Sequence, residues 1–278
     1  MDIVLPERSA HWYRRDGAPC HQVPKKDKSG MRNVCLRYDR HLDLLPSSTS
    51  IISVKAKPEL EAYKIKQALM AAVTLPRLED EGEDAFMARV VVDMEAHMRD
   101  AAAFGTKIHR HCERFHKHQE VPMGEKSEDE ELEPYVADYK RWFSENVKEV
   151  LWAEKVLVNE KVGYAGTADL LLLLNDYRKV LVDLKTQGIK SRVTKTKGVF
   201  KNDPNFYESW EWQLVSYGKC LEMEPDAYLS IIIDSTEPGP CHTYEWPLAG
   251  RRNAWRSFLA CAFLWCVDKS YFPSTYWQ

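Results

Sequence analysis

Between residues 58 and 146 the apolar positions recur at helical spacing. "PELEAYKIKQALMAAV" opens with Pro58 in its first turn and predicts a helix from that point. A second helix is expected from about Ala85 to His118. A third is expected from about Glu128 to Asn146, with Leu132, Tyr135, Tyr139, Trp142 and Phe143 along one side. The pattern then becomes strand-like: "EVLWAEKVLVNEKVG", "GTADLLLLL" and "KVLVDLKT" are apolar runs separated by Gly and Asn turns. "YESWEWQLVSYGKCLEM" returns to a helical pattern. "AYLSIIID" and "CHTYEWPL" are two further strands, and a helix is expected from about Leu248 to Lys269. Upstream of Pro58, "RRDGAP", "KKDKSG" and "LPSSTS" are turn signals and predict short strands and loops. The order predicts a mixed α/β domain round one sheet. Residues 58–278 form its compact unit and residues 1–57 a basic N-terminal extension.

Two charges interrupt "KVLVDLKT". Strand side chains alternate between faces, so Asp183 and Lys185 point the same way, and burying either alone is costly. Asp169 precedes "LLLLL" and follows "GYAGT", where Gly163 and Gly166 allow close backbone approach. A hairpin turn near Asn175–Tyr177 folds Asp169 back beside Asp183. Two carboxylates and one ammonium then converge at one edge of the sheet. Carboxylate oxygens suit a hard divalent cation, Mg²⁺ or Mn²⁺, which polarises a phosphoryl oxygen and acidifies a bound water. Lys185 would position that water or stabilise developing negative charge, so the expected chemistry is phosphodiester hydrolysis. A structural ion pair is the bland alternative. The "DYK" of Asp138–Lys140, in a helical segment, is what an incidental DxK looks like.

Other residues extend this picture. In "FGTKIHRHCERFHKH", His109 and Glu113 are four apart and share a helix face. His109 is a candidate ligand, and Glu113 would orient it or reach a second cation. The cluster lacks HExxH and any CxxC pair, which argues against zinc. His111, His116 and His118 read as packing or surface residues. Gln213 and Tyr217 are likewise four apart on the later helix.

The chain has 278 residues and a net charge of −3, which forces no choice of partner. The distribution says more. Arg8 to His41 holds nine Lys/Arg against three Asp, and Lys185 to Lys201 holds six Lys/Arg and no acid. Acid gathers in "EVPMGEKSEDEELE", expected as an exposed loop. A polyanion would meet the first two segments and be repelled by the third. Seven scattered cysteines argue against a disulfide framework and for a reducing compartment. No apolar run approaches the roughly 20 residues of a membrane span. The first residues lack the features of a signal peptide, and the expected location is the cytoplasm.

In order, the chain reads GTxxHxxxE (Gly105–Glu113), a Glu-bearing strand (Glu154 or Glu160), GxxD (Gly166–Asp169), DLKT (Asp183–Thr186) and QxxxY (Gln213–Tyr217). The ordered set resembles the PD-(D/E)XK nuclease superfamily in its RecB-like, Cas4-like branch, over about Gly105 to Glu224. "HWYRRDGAPCHQVPKKDKSGM" resembles the start of phage or prophage exonucleases, and "LPSSTSIISVKAKPELEAYKIKQA" resembles the segment preceding the nuclease core in phage and mitochondrial members. "GTAD" stands where the family name has a literal PD.

The resemblance implies a restriction-endonuclease-like core, a central mixed β-sheet flanked by helices. It implies metal ligation by His109, Asp169, Asp183 and the backbone carbonyl of Leu184. Lys185 would be the catalytic lysine and Glu113 an acidic participant. Gln213 and Tyr217 would help to hold the DNA strand and the active-site loop. Lys190, Arg192, Lys195, Lys197 and Lys201 of the basic segment would grip phosphates. No cysteine trio follows the QxxxY helix, so no iron–sulfur cluster is expected.

The implied activity is a Mg²⁺- or Mn²⁺-dependent DNA exonuclease acting on linear duplex or single strand. The implied setting is a bacterial or phage-infected cell, with a single-strand annealing protein as a recombination partner. An endonuclease on the same site and a non-catalytic DNA-binding scaffold are the rivals.

Overall fold

The computed structural model describes residues 11–118, 126–189, 191–194, 198–201 and 203–277. Of the acidic segment 120–133, residues 120–125 lie outside them, and residues 126–133, expected as part of an exposed loop, are helical. The N-terminal pieces are short, as the turn signals predict. β1 (Trp12–Tyr13) pairs antiparallel with β4 (Leu45–Pro46), and β2 (Gln22–Pro24) with β3 (Met31–Asn33). Between and after them come α1 (Leu36–Asp39) and α2 (Ser48–Ile52). Ser47 caps α2 by accepting the Ser50 amide at 3.0 Å. These pieces build no core of their own. Trp12, Val34, Leu44, Ile51 and Ile52 bury against Phe258, Trp265 and Tyr271 near the C-terminus. Tyr271 donates its hydroxyl to the Leu44 carbonyl at 2.8 Å.

Three helices follow: α3 (Pro58–Thr74), α4 (Glu83–His116) and α5 (Lys126–Asn146). α4 has 34 residues, about 51 Å of helix at 1.5 Å per residue. Its Ile108 and Cys112 pack with Leu132, Val136 and Tyr139 of α5 against the sheet. A polar seam joins the two helices. Buried His111 lies 3.0 Å from Asp129 and 3.2 Å from Glu133, and His116 Nε2 lies 2.6 Å from the Tyr139 hydroxyl. Both imidazoles therefore belong to packing, as their positions predicted.

The next strands are β5 (Val147–Asn159), β6 (Tyr164–Leu174) and β7 (Lys179–Gln187). The basic segment is in part a hairpin of β8 (Ser191–Thr194) and β9 (Gly198–Lys201). The two strands pair antiparallel from Ser191↔Lys201 to Thr194↔Gly198. α6 (Glu208–Gly218), β10 (Ala227–Asp234), β11 (His242–Glu245) and α7 (Arg251–Lys269) complete the chain. α6 stops at Gly218, five residues before the end its apolar pattern suggests, and glycine is a common stop signal.

The central sheet has the order β11-β10-β7-β6-β5. All neighbours are antiparallel except β7 and β10. A parallel pair needs a crossover, and the segment from β8 to α6 supplies it. β7 and β10 lie in the middle of the sheet, and all eight residues of β10 are buried. Leu170, Leu172, Val180, Val182 and Leu184 pack in the cluster with α4 and α5, while Leu181 packs with Leu214, Val215 and Tyr217 of α6. The protein is thus a mixed α/β fold with helices on both faces of one five-stranded sheet. Among the described residues no helix is long and apolar enough to cross a membrane.

The His116–Tyr139 bond is buried, and burial pushes the His116 imidazole down to about 4. Tyr139→Phe leaves that neutral ring without its partner. The expected cost is about 1–3 kcal/mol in urea unfolding. An unchanged midpoint would contradict the assignment.

Candidate functional site

The site begins where a ladder ends. β6 and β7 pair from Leu173↔Lys179 to Leu170↔Val182. The next positions in register are Asp169 and Asp183, and the pairing stops there. The amide of Leu184 donates instead to Asp169 Oδ2 at 2.7 Å. Beyond this point β6 keeps its pairing with β5, and β7 keeps its pairing with β10 through Asp183↔Ser230 and Lys185↔Ile232. The two strands part like a fork. Asp183 lies at its base, 2% exposed, and Lys185 Nζ donates to Asp183 Oδ1 at 2.6 Å. Asp183 Oδ2 is buried with no hydrogen-bond partner. The turn joining the strands is the expected one: Tyr177 has φ 68° and donates its amide to the Leu174 carbonyl at 2.9 Å.

α6 fixes the fork from one side. Gln213 Oε1 lies 3.5 Å from Lys185 Nζ, and Gln213 Nε2 donates to the Tyr217 hydroxyl at 3.1 Å. The four-residue spacing thus makes a chain of contacts from Tyr217 through Gln213 to Lys185. Tyr217 reaches that position because residue 166 is glycine. A Cβ there would lie 2.8 Å from the Tyr217 ring. Trp210, one turn earlier, places its ring centroid 5.9 Å from Lys185 Nζ. α4 closes in from its own face at Gly105, where a Cβ would lie 2.5 Å from Thr186 Oγ1. His109, one turn on, is within electrostatic reach of Lys185 and Asp183.

β5 adds a carboxyl. Ala153 pairs with Leu170 and Lys155 with Ala168, so Glu154 stands opposite Asp169. Its backbone is left-handed, φ 50°. Glu113 joins this side of the site, half-buried, with one carboxylate oxygen 2.5 Å from Lys117 Nζ. The strand signature left Glu154 and Glu160 equally open. The charges of Asp169 and Glu113 act on Glu154, which therefore belongs to the site.

The electrostatics follow from burial. Desolvation pushes Asp183 up to about 6, Asp169's charge adds to this, and Lys185 opposes it. Asp169 is also raised by burial, against the pull of Lys185 and the Leu184 amide. Glu154 is pushed up to about 7, first by burial and then by Asp169 and Glu113. Burial works to lower the Lys185 ammonium, but Asp183 and Asp169 outweigh it and the net direction is up. His109 is lowered by burial and by Lys185, so its ring is held neutral. The arrangement therefore gathers more acid than base, with one carboxylate oxygen unpartnered.

The structure brings together Asp169, Asp183, Leu184, Lys185, Gln213 and Tyr217, with His109 in range and Glu113 nearer Glu154. Among the described residues no group of three His, Cys, Asp or Glu side chains is gathered closely enough to hold a metal ion unaided. Lys190, Lys195 and Lys197 lie outside the described residues, as do the side chains of Arg192 and Lys201. Sequence reasoning missed Trp210 as a neighbour of Lys185; its place one turn before Gln213 was the available signal. No protein-family model matches the chain, and no curated protein matches it in sequence.

Two outcomes test this geometry. Gly166→Ala must push against the Tyr217 ring, at a cost of about 1–3 kcal/mol in denaturant unfolding; an unaltered midpoint would mean the contact is loose. Asp183 bears on pH. Its folded value lies above its unfolded one, so its contribution to stability is full below about pH 4 and is lost as pH rises through about 6. Lys185→Ala removes the ammonium that holds the value down. The drop in melting temperature from pH 5 to pH 8 should be larger in Lys185→Ala than in the parent. Equal drops would contradict the pairing.

Proposed function

We propose that the chain is a divalent-metal-dependent deoxyribonuclease of the PD-(D/E)XK type, in the RecB-like branch, hydrolysing phosphodiester bonds from DNA ends. The observation that carries this reading is the bond from half-buried Lys185 to buried Asp183 at the base of the fork, with Asp183 Oδ2 unpartnered beside Asp169. An ordinary structural ion pair would be balanced. Here Glu154, Asp169 and Asp183 are all raised by burial; Lys185 alone serves the two aspartates, and Lys117, already paired with Glu113, opposes the shift only at Glu154. Such a surplus of buried acid is a seat for a cation.

The residues fit a hard ion. Mg²⁺ commonly takes only one or two carboxylates and keeps several waters, so a closed protein cage is not required. Asp169, Asp183 and the Leu184 carbonyl would hold it, with His109 as a neutral nitrogen ligand. Once bound, Mg²⁺ or Mn²⁺ would polarise the phosphoryl oxygen and lower the pKa of a water.

The chain's own groups do the rest. Lys185 stays an ammonium at neutral pH, so its part is to hold the attacking water or to stabilise charge on the phosphoryl oxygens, not to act as a base. Gln213, held by Tyr217, keeps that ammonium aimed into the fork. Glu113 and Glu154 lie on the far side of Asp169 and would accept a proton or a second cation.

The restriction-endonuclease-like core, action from ends, work in the cytoplasm of a bacterial or phage-infected cell and a single-strand annealing partner belong to the same reading. They rest on the ordered motifs. The basic segment that leaves the end of β7 returns to it, since Gln187 and Asn205 bond reciprocally at 2.9 and 3.2 Å. Phosphate contacts from that segment would therefore fall beside the fork.

Linear DNA should be degraded with Mg²⁺ or Mn²⁺ and spared in chelator. Asp183→Ala and Lys185→Ala should each lose at least about 100-fold in rate. Full activity in both variants would sink the proposal. Covalently closed circles should survive; nicking of circles would make the enzyme an endonuclease. The acid limb of the rate should fall as pH drops through about 6, because protonated Asp183 competes with metal. Raising Mg²⁺ should move that limb to lower pH, and a limb insensitive to Mg²⁺ would place the titration elsewhere.

A further inference from the structure

A cavity of about 660 Å³ opens beside the fork, between the start of α3 and the turn leading into α6. Tyr63 lines one side; Phe206, Tyr207 and Trp210 line the other, with Lys55 and Lys57 at its rim. Trp210 belongs to both places. Its ring forms part of the cavity wall and lies 5.9 Å from Lys185 Nζ. The wall is braced. Tyr207 meets Trp210 edge-on at 5.1 Å, Phe206 meets Trp210 edge-on at 6.3 Å, and Phe206 stacks on Tyr244 at 4.9 Å. Tyr63 and Tyr207 each remain 37% exposed. Lys55 is held over the Trp212 ring at 4.2 Å and lies 3.4 Å from the exposed Glu208.

We infer that this cavity binds an unpaired nucleobase of the strand whose phosphate lies at Lys185, so that the substrate is a single strand or an unpaired strand end. The inference rests on the nuclease reading and adds the form of DNA that it takes. Aromatic faces beside ammonium groups are what a single strand needs: bases stack, and phosphates meet cations. The size lies within the range of small-molecule pockets and admits a base with its sugar. A base within a duplex has both faces covered by its neighbours and cannot enter. The neighbouring phosphates would pass the rim at Lys57 on one side and Lys185 on the other. The carboxylate of Glu208 is offset by Lys55 and does not leave net negative charge at the rim.

The test uses the whole chain in chelator with a single-stranded oligonucleotide carrying 2-aminopurine at successive positions from its end. Stacking should quench the fluorescence at one or two positions only. Tyr207→Ala and Tyr63→Ala should each weaken binding about tenfold. Tyr207→Trp should restore it and Tyr207→Leu should not, which separates stacking from packing. Cleavage of the same oligonucleotide with Mg²⁺ distinguishes the two claims. A parent that binds and cleaves, with ring variants that do both equally well, overturns the cavity and leaves the nuclease standing. Ring-dependent binding without cleavage in the parent supports the cavity and removes the nuclease. A parent that neither binds nor cleaves overturns both.

Discussion

The hydrogen bond from the Leu184 amide to the Asp169 carboxylate is the interaction on which the site depends. A buried backbone amide must find an acceptor. In the middle of a sheet the neighbouring strand normally supplies one. Here a side chain supplies it, and the β6–β7 ladder ends one residue earlier, at Leu170↔Val182. An apolar residue at 169 would leave that amide to the β6 backbone, and the ladder would run on over Asp183. The same carboxylate thus opens the fork and stands inside it.

What remains after the fork opens is an imbalance of charge. β7 is still held by β10 along its full paired length, so Asp183 cannot swing out to water. Lys185 satisfies one of its oxygens, and the Tyr217–Gln213 contacts keep Lys185 there. Gly166 makes room for that brace and Gly105 for the approach of α4. Together these features hold the Asp183 carboxylate away from solvent and aim Lys185 at it. A fold under no demand but stability would gain by replacing such a cluster with apolar side chains. On the proposed reading the demand is a cation and a phosphate.

Much of this was legible in the chain. Asp183 and Lys185 stand at alternate positions of an otherwise apolar strand, and period two alone puts them on one face. Asn175–Tyr177 marks the turn that returns Asp169 to them. Helical spacing gave the Gln213–Tyr217 contact its direction. Other features lie beyond one-dimensional pattern. Glu154 meets Asp169 because the β5–β6 hairpin closes at Asn159↔Tyr164 and holds one register as far as Ala153↔Leu170, while Glu160 falls in the turn itself; the motif order alone does not fix that register. The end of the β6–β7 ladder is a competition between two acceptors for one amide. Composition marked Lys185–Lys201 as basic but not as a hairpin, since its alternation spans only four residues a side. Trp210 comes beside Lys185 only once α6 is set against β7.

Anomalous X-ray scattering from crystals soaked in Mn²⁺ tests the central claim most directly. The account predicts a peak in the fork, in coordinating contact with the carboxylates of Asp169 and Asp183, and its loss in Asp183→Asn. A saturating soak that leaves the fork empty, or a peak that persists in Asp183→Asn, would contradict it.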